Sequence, residues 1–597
     1  MKIFITTLLS LTAYVGVDGV HAAEIQWRVE NRFPVFSEAK DFQKLEAAFG
    51  TGTATEFLAK NHSATDLREL LPIQRTAWQP ESGTYDARTF FNKEHAVRFT
   101  LAGETGPDDC TWQVDTQSHV GPCGGTTVII PEKKPFSVQV SRHGVRLATL
   151  NEPHGIQSKL IVGIGDSFAS GEGNPDHPTQ LKNPERLDYK WFKRDVSSVV
   201  GDSAAWWDKS CHRSLLSWQA LYAMRQAIVD PHRVVRFASF ACSGAEVYDG
   251  FFHPQAAPPG MADDGHLALS QQRAVVSLLC QNGQVTNEVT VGTPRVDGPR
   301  KKQSLFGQYS LAVCSSTPLT ADEILLSFGG NDFGFSGVVK WGIGVPDVHN
   351  HRGGILGPIR TPGLRLVNKF IRPIDPQNAA AALKHMPQLY KDIENALTPL
   401  RHDSARTVAL IYPDPLPVSD YKGCQLRTRD GNHPLALLIN NPFSDFKFGL
   451  GGPQARQIRS AFIDPLRARQ IDTISALGKG WVGLDANHGL LLSESSPRTI
   501  CGNTATCANG RCEPSNRLTW TSKTKNFSNT PRLDSLLDFK PYDPARVRGL
   551  RSASDALLTQ SARTDKNKQD DDWVFGIAHP TAAVHATIAD HLFDQQP

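Results

Sequence analysis

The stretch KLIVGIGDSFASGEG, Lys159 to Gly173, runs from an apolar segment (Leu160–Ile164) straight into Gly165-Asp166-Ser167 and then into further glycines. A serine set just past a buried strand, in a turn with little side-chain cover, is placed as a nucleophile would be; a plain strand-to-helix turn has the same look. Its hydroxyl becomes a useful nucleophile only when a base removes its proton. An imidazole, titrating near neutral pH, can take that proton and give it back. Close to the end of the chain, GIAHPTAAVHATIADHL offers His579 before Pro580, with His585 as the rival base further along. His579 is preferred, because it opens the final helix and His585 lies deeper within it and lacks the following Pro. Two further segments carry groups suited to an oxyanion: FACSGAEVYDG with Gly244, and SFGGNDFGF with Asn331. The backbone N–H groups of Ser167 and Gly244 and the Asn331 amide make three donors, each worth about 3 kcal/mol when aimed at the developing charge. Glycine at 244 lets the backbone approach a substrate with no Cβ in the way. The chemistry these types can perform is acyl transfer: Ser167 is acylated and then deacylated by water, with His579 acting as base and then as acid. Asp166 fastens the turn beside the serine rather than reacting. Each marker also has a plainer reading: Asn331-Asp332 as a turn, Gly244 as a helix-start glycine, His579 as a cap. No G-x-S-x-G is present, so an α/β-hydrolase elbow is not supported.

These groups need a frame. From Lys159 onward apolar strands alternate with amphipathic helices: LIVGI, SWQALYAMRQAIVD, VVRFASFA, EILLSFGG, AAALKHMPQLYKDIENAL, TVALIYP, ARQIDTISALGKG and WVGL. Trp218, Leu221, Met224 and Ile228 share one helix face, and Leu389, Ile393 and Leu397 another. Continuous apolar strands separated by helices predict a parallel sheet covered on both faces, an α/β domain. Ligands of such sheets lie beyond the carboxyl ends of the strands, where Ser167, Gly244 and Asn331 fall. Three stretches break the rhythm and read as insertions, near 335–373, 425–452 and 493–568. Ahead of the α/β region, EIQWRVENRFPVF and two short helices (Asp41–Phe49 and Thr53–Lys60) precede closely spaced strand-like segments from Ala96 to Asn151, with Cys110 and Cys123 flanking one turn. They predict a small β-rich, sandwich-like N-terminal domain over 23–155, with the α/β domain over 156–597.

The chain has 597 residues, more than one ordinary domain needs, and a net charge of +3. That balance, with no basic run interleaved with aromatics, argues against a nucleic-acid partner. Residues 1–22 read as an export signal: Lys2, an apolar run from Ile3 to Val17, and Val20-His21-Ala22 ahead of cleavage. No other apolar run is long enough to span a bilayer, so no stable membrane anchor is expected. Ten cysteines suit an extracytoplasmic, secreted or periplasmic, location. They lack zinc spacings, and His349 and His351 read as loop histidines, so neither metal nor cofactor is expected. Proximity pairs Cys280 with Cys314 and Cys507 with Cys512; elimination leaves Cys424 with Cys501.

The order Ser167, Gly244, Asn331, His579, each of the first three following a predicted strand, resembles the SGNH hydrolase family, the GDSL-type esterases and lipases. GDSFASGEG, with CHRSLLSW and ACSGA, is similar to the secreted actinobacterial lipase and esterase branch. The resemblance covers roughly Lys159 to Pro597 and leaves out the N-terminal region. It implies a three-layer α/β/α fold of SGNH type, flavodoxin-like, with Ser167 and His579 as catalytic residues, Gly244 and Asn331 in the oxyanion hole, and a Cys211–Cys242 bridge as in secreted relatives. It also implies an ester substrate, a lipid or an acylated glycan, and no cofactor. The family usually has an aspartate three residues before the histidine; here that position is Gly576. Either Asp572 reaches the imidazole, or a backbone carbonyl, such as that of Gly576, orients it in a Ser–His dyad. The function implied is a secreted carboxylic ester hydrolase. A polysaccharide O-acetyl esterase with a glycan-binding N-terminal domain, and a catalytically silent binding protein, are the alternatives.

Overall fold

The computed structural model describes residues 23–104, 108–181, 200–255, 269–292, 296–299, 304–305, 308–344, 374–416, 452–490, 541–543, 549–551, 553–562 and 575–596. The chain divides into two compact units, Met1–Val29 with Glu94–Gln157, and Glu30–Lys93 with Ser158–Pro597.

The first unit contains antiparallel sheets. Ile25–Val29, Glu94–Leu101 and Thr126–Pro131 form one of three strands; Gln117–Pro122, Asp109–Val114, Phe136–Arg142 and Val145–Glu152 form one of four. Alternating residues such as Val97, Phe99 and Leu101, or Phe136, Val138 and Val140, are buried while their neighbours are not, the period of two that a half-covered sheet requires. Cys110 and Cys123 are bridged within it.

The second unit is α/β. Its central sheet has five strands, in spatial order Arg233–Ser239, Gln157–Gly165, Ala321–Ser327, Arg401–Ile411 and Trp481–Asp485. The pairs from Gln157–Gly165 through to Trp481–Asp485 are parallel. In chain order this is 2-1-3-4-5, an arrangement whose topological switch point lies between the first and third strands. The strands are mostly apolar and do not alternate because Leu160–Gly165, Val234–Ser239 and Glu323–Ser327 are buried along their whole length, Arg236 and Glu323 included. Helices follow where the sequence period changes: Trp218–Val229, Gln271–Leu279, Met386–Leu397, Asp464–Leu477 and Ala582–Asp594. Ser217 and Ser270 cap the first two, each hydroxyl accepting a first-turn N–H.

Residues 30–93, expected with the N-terminal β-rich region, group with the α/β unit instead. The physical reason is burial against that unit's core. Arg32 donates to Ala227 O at 2.8 Å, Phe33 stacks on Phe237 at 6.5 Å, and Asp590 accepts the N–H of Ala54 at 2.8 Å. Two of their helices, Ala39–Phe49 and Ala54–Lys60, begin close to the expected positions, and a third, Ala64–Leu70, was not anticipated; the last two carry capping boxes at Thr53 and Ser63. Of the expected insertions, Phe335–Gly344 is helical, and the described part of 493–568 holds the helix Ala553–Gln560 and the buried Tyr542 and Arg551. The stretch 425–451 lies outside the described residues. A hairpin of Val285–Gly292 with Gln308–Cys314 was not anticipated; it brings Cys314 to Cys280, and that pair is bridged.

Cys211 and Cys242 are also bridged, closing a separation of 31 residues, worth about 4 kcal/mol in the chain-entropy treatment. Reduction is therefore expected to lower the unfolding midpoint in proportion. Peptide mapping of exported protein that found both thiols unmodified by each other would refute the bridge. Cys424, Cys501, Cys507 and Cys512 lie outside the described residues.

Candidate active site

Gly165 ends the first strand opposite Ser327. Its φ is +134°, and a Cβ there would fall 2.6 Å from the Ser327 carbonyl oxygen, so only glycine lets the chain turn at this point. Asp166 N–H donates to that same carbonyl at 3.0 Å. The Asp166 carboxyl then accepts from Phe168 N–H (3.0 Å), from the Ser327 hydroxyl (2.6 Å) and from the Tyr412 hydroxyl. Burial pushes its pKa up to about 6, against the pull of those hydrogen bonds. Asp166 is thus a fastener between three strand ends. Ser167 opens the short helix Ser167–Ser170 directly after it.

His579 Nε2 lies 2.7 Å from Ser167 Oγ, although the two residues are 412 apart in sequence. The turn that carries His579 is clamped. Ala578 has φ +65°, a left-handed conformation costing about 1 kcal/mol for a residue with a Cβ. Arg551 holds it from both sides, its N–H donating to His579 O and its carbonyl accepting Ala578 N–H, both at 2.9 Å. Asn174 Nδ2 donates to Pro580 O at 2.8 Å. The Arg551 guanidinium is itself buried between Asn174, Asp555 and Thr559. Phe168 packs beside the imidazole, ring centroids 5.5 Å apart. His585 is buried elsewhere: its Nδ1 accepts Trp218 N–H at 3.2 Å, and burial drives its pKa down to about 3.

Gly576 O accepts the backbone N–H of His579 at 3.2 Å. A Cβ at 576 would fall 1.8 Å from Gln560 Nε2, so Gln560 occupies the space a side chain there would need. Asp572 lies outside the described residues.

Gly244 takes φ +83° and is exposed. Its loop is laced to the nucleophile turn, Cys242 N–H donating to Gly165 O at 2.9 Å and Ser243 N–H to Cys211 O at 3.0 Å. Asn331 Nδ2 donates to Ala245 O at 3.0 Å and Asp332 Oδ1 accepts Val247 N–H at 2.9 Å, so the Asn331 and Gly244 loops are joined. Gly330 must be small, since a Cβ would fall 2.6 Å from the Tyr412 ring.

Several participants were not singled out in the sequence: Glu172, Asn174, His212, Ser327, Tyr412 and Arg551. Glu172 had a signal, a lone acid between Gly171 and Gly173 in an otherwise uncharged turn. Arg551 had none, lying in a stretch that reads as polar loop. Among the described residues no group of three or more His, Cys, Asp or Glu is gathered as a metal site would be. His349 and His351 lie outside them. No helix of the described residues is long and apolar enough to cross a membrane.

No family model matches the chain, and no curated protein does. Among solved structures it is similar to an extracellular lipase from Streptomyces rimosus, at 17% identity over 65% of this chain and 97% of that one, with a TM-score of 0.27. Phospholipase A1 from Streptomyces albidoflavus gives 14% identity over 56% and 84%, with a TM-score of 0.26. A carbohydrate esterase gives 12% identity over 53% and 73%, with a TM-score of 0.16. Overlaps of this quality leave the chemistry of this chain to its own residues.

Proposed function

We propose that this chain is a serine hydrolase of carboxylic esters, with Ser167 as nucleophile and His579 as its base. The observation that carries this reading is the 2.7 Å contact between His579 Nε2 and Ser167 Oγ, at the strand ends where the sheet's topology opens a site. Ser167 Oγ attacks the ester carbonyl as its proton passes to Nε2. The resulting oxyanion accepts from the N–H groups of Ser167 and Gly244 and from the Asn331 amide, whose first hydrogen already serves Ala245. The intermediate collapses, the bond to the alcohol oxygen breaks, and the imidazolium returns its proton to that oxygen. Water then repeats the sequence on the acyl-enzyme, with His579 again as base, and frees the acid.

Three bridged cysteine pairs suit an oxidising compartment. With residues 1–22 read as an export signal, the enzyme works outside the cytoplasm. A panel of esters from acetylated xylan to long-chain nitrophenyl esters, together with labelling by a fluorophosphonate, tests the reading. Absence of both turnover and labelling in folded, exported protein would overturn it. Asn331→Ala is expected to lower kcat by roughly 10²–10³-fold, the usual cost of one oxyanion donor. A change confined to KM would mean instead that Asn331 binds ground-state substrate.

A further inference from the structure

A buried charge beside the site is not used by the steps above. Glu172, two residues past the short helix that Ser167 opens, has no exposed surface. Its backbone N–H donates to Ser167 O at 3.1 Å, tying it to the nucleophile's own residue. Its carboxylate is held on both oxygens: Oε2 meets His212 Nδ1 at 2.8 Å, and Oε1 accepts Gly173 N–H at 3.1 Å. Ser243 also bonds to it. His212 follows Cys211, which is bridged to Cys242, and Ser243 precedes Gly244, so two of its partners belong to the paired loops that present Gly244. On its other side the same segment runs under the base. A side chain at Gly173 would come within 3.5 Å of Gly576 O, and Asn174 bonds to Pro580 O. The carboxyl therefore sits where the nucleophile turn, the Gly244 loop and the His579 turn meet.

A carboxyl taken out of water alone would pick up a proton. Burial does push Glu172 up, but the His212 imidazole, His579 and Ser243 together hold it below the usual carboxylate range. The interaction is mutual: an anion near His579 favours its protonated form. During the reaction that form arises as Ser167 gives up its proton, so the attraction grows toward the transition state, where it counts as catalysis. The other groups facing the imidazole do not supply this. Arg551 is a cation paired with Asp555, His212 is taken up by Glu172 itself, and His585, driven down by burial, stays neutral.

We propose that Glu172, held in place by His212, is a positioning residue that acts through His579, favouring the imidazolium during acyl transfer and locking the nucleophile turn to the loop bearing Gly244. The proposal rests on the reading of Ser167 and His579 given above, and its test separates the two. The rate at which a fluorophosphonate labels the protein is measured across pH for the wild type and for Ser167→Ala, Glu172→Gln and Glu172→Asp. Labelling of Ser167→Ala at the wild-type rate would overturn the serine–histidine reading itself. With that variant unlabelled, Glu172→Gln is expected to react about tenfold or more slowly at its plateau. Its acid limb moves to lower pH by about half a unit or more, because removing an anion lowers the pKa of the neighbouring imidazole. Glu172→Asp, which keeps the charge, recovers part of the rate and returns the limb toward the wild-type position. If Glu172→Gln does not fold, Glu172→Ala, which removes the carboxylate without setting an amide against His212, takes its place and is expected to move the limb the same way. A Glu172→Gln limb that stays in place overturns the proposal, whether the rate is unchanged or falls with the unfolding midpoint, since a purely structural role would leave the base's titration where it was.

Discussion

Ser167→Ala is expected to lower ester hydrolysis by at least about 10⁴-fold while leaving the thermal midpoint unchanged. The hydroxyl's hydrogen bond runs to His579 Nε2, and removing it disturbs no strand pairing and no cap. Asp166, with its bonds from Phe168, Ser327 and Tyr412, still closes the turn. The backbone N–H at 167 also remains, so the variant keeps an oxyanion donor and any binding of substrate, and only the covalent route is lost. Titration with a chromogenic ester and a melting curve on the same preparation check both halves. A variant that kept near-wild-type kcat would sink the assignment of the nucleophile.

His579→Ala is expected to match that loss, and the double variant Ser167→Ala/His579→Ala to add almost nothing to either. Nucleophile and base act as one unit: without the base the hydroxyl keeps its proton, and without the hydroxyl the base has nothing to take. Independent contributions would instead multiply. His585 offers no substitute, for its Nδ1 is occupied by Trp218 N–H, and a ring whose pKa burial drives down to about 3 is too weak a base. A double variant a further 10³-fold or so below the singles would mean that the two residues contribute separately, and a His579→Ala enzyme of near-wild-type rate would place the base elsewhere.

The residue types of the site and the elements that carry them were legible in the chain itself. Leu160–Ile164 is apolar at every position, and Val234–Ala238 at every position but Arg236, because both their faces are covered, and that pattern needs no knowledge of the neighbours. Thr53 announces its helix because a cap is a contact within four residues. The Cys110–Cys123 bridge is similarly local, spanning 13 positions.

What the chain could not state is which distant segments meet. An amphipathic helix such as Ala39–Phe49 shows that its apolar face will be covered, not by what, so residues 30–93 could be assigned to their unit only once Phe33 was found against Phe237 and Ala54 against Asp590. Strand order is of the same kind, since it depends on the path of the crossovers, not on the strands. Buried charge is the extreme case. Arg551 read as an ordinary polar residue, and the glycines around Glu172 did not show that it is buried, because burying a charge is allowed only by partners, and some of theirs, His212 for Glu172 and Asn174 for Arg551, lie 40 and 377 residues away. Serine and histidine could be named from sequence as a nucleophile and its base. That they stand 2.7 Å apart was decided by the tertiary structure, which sets the first strand's carboxyl end and the Arg551-clamped turn face to face.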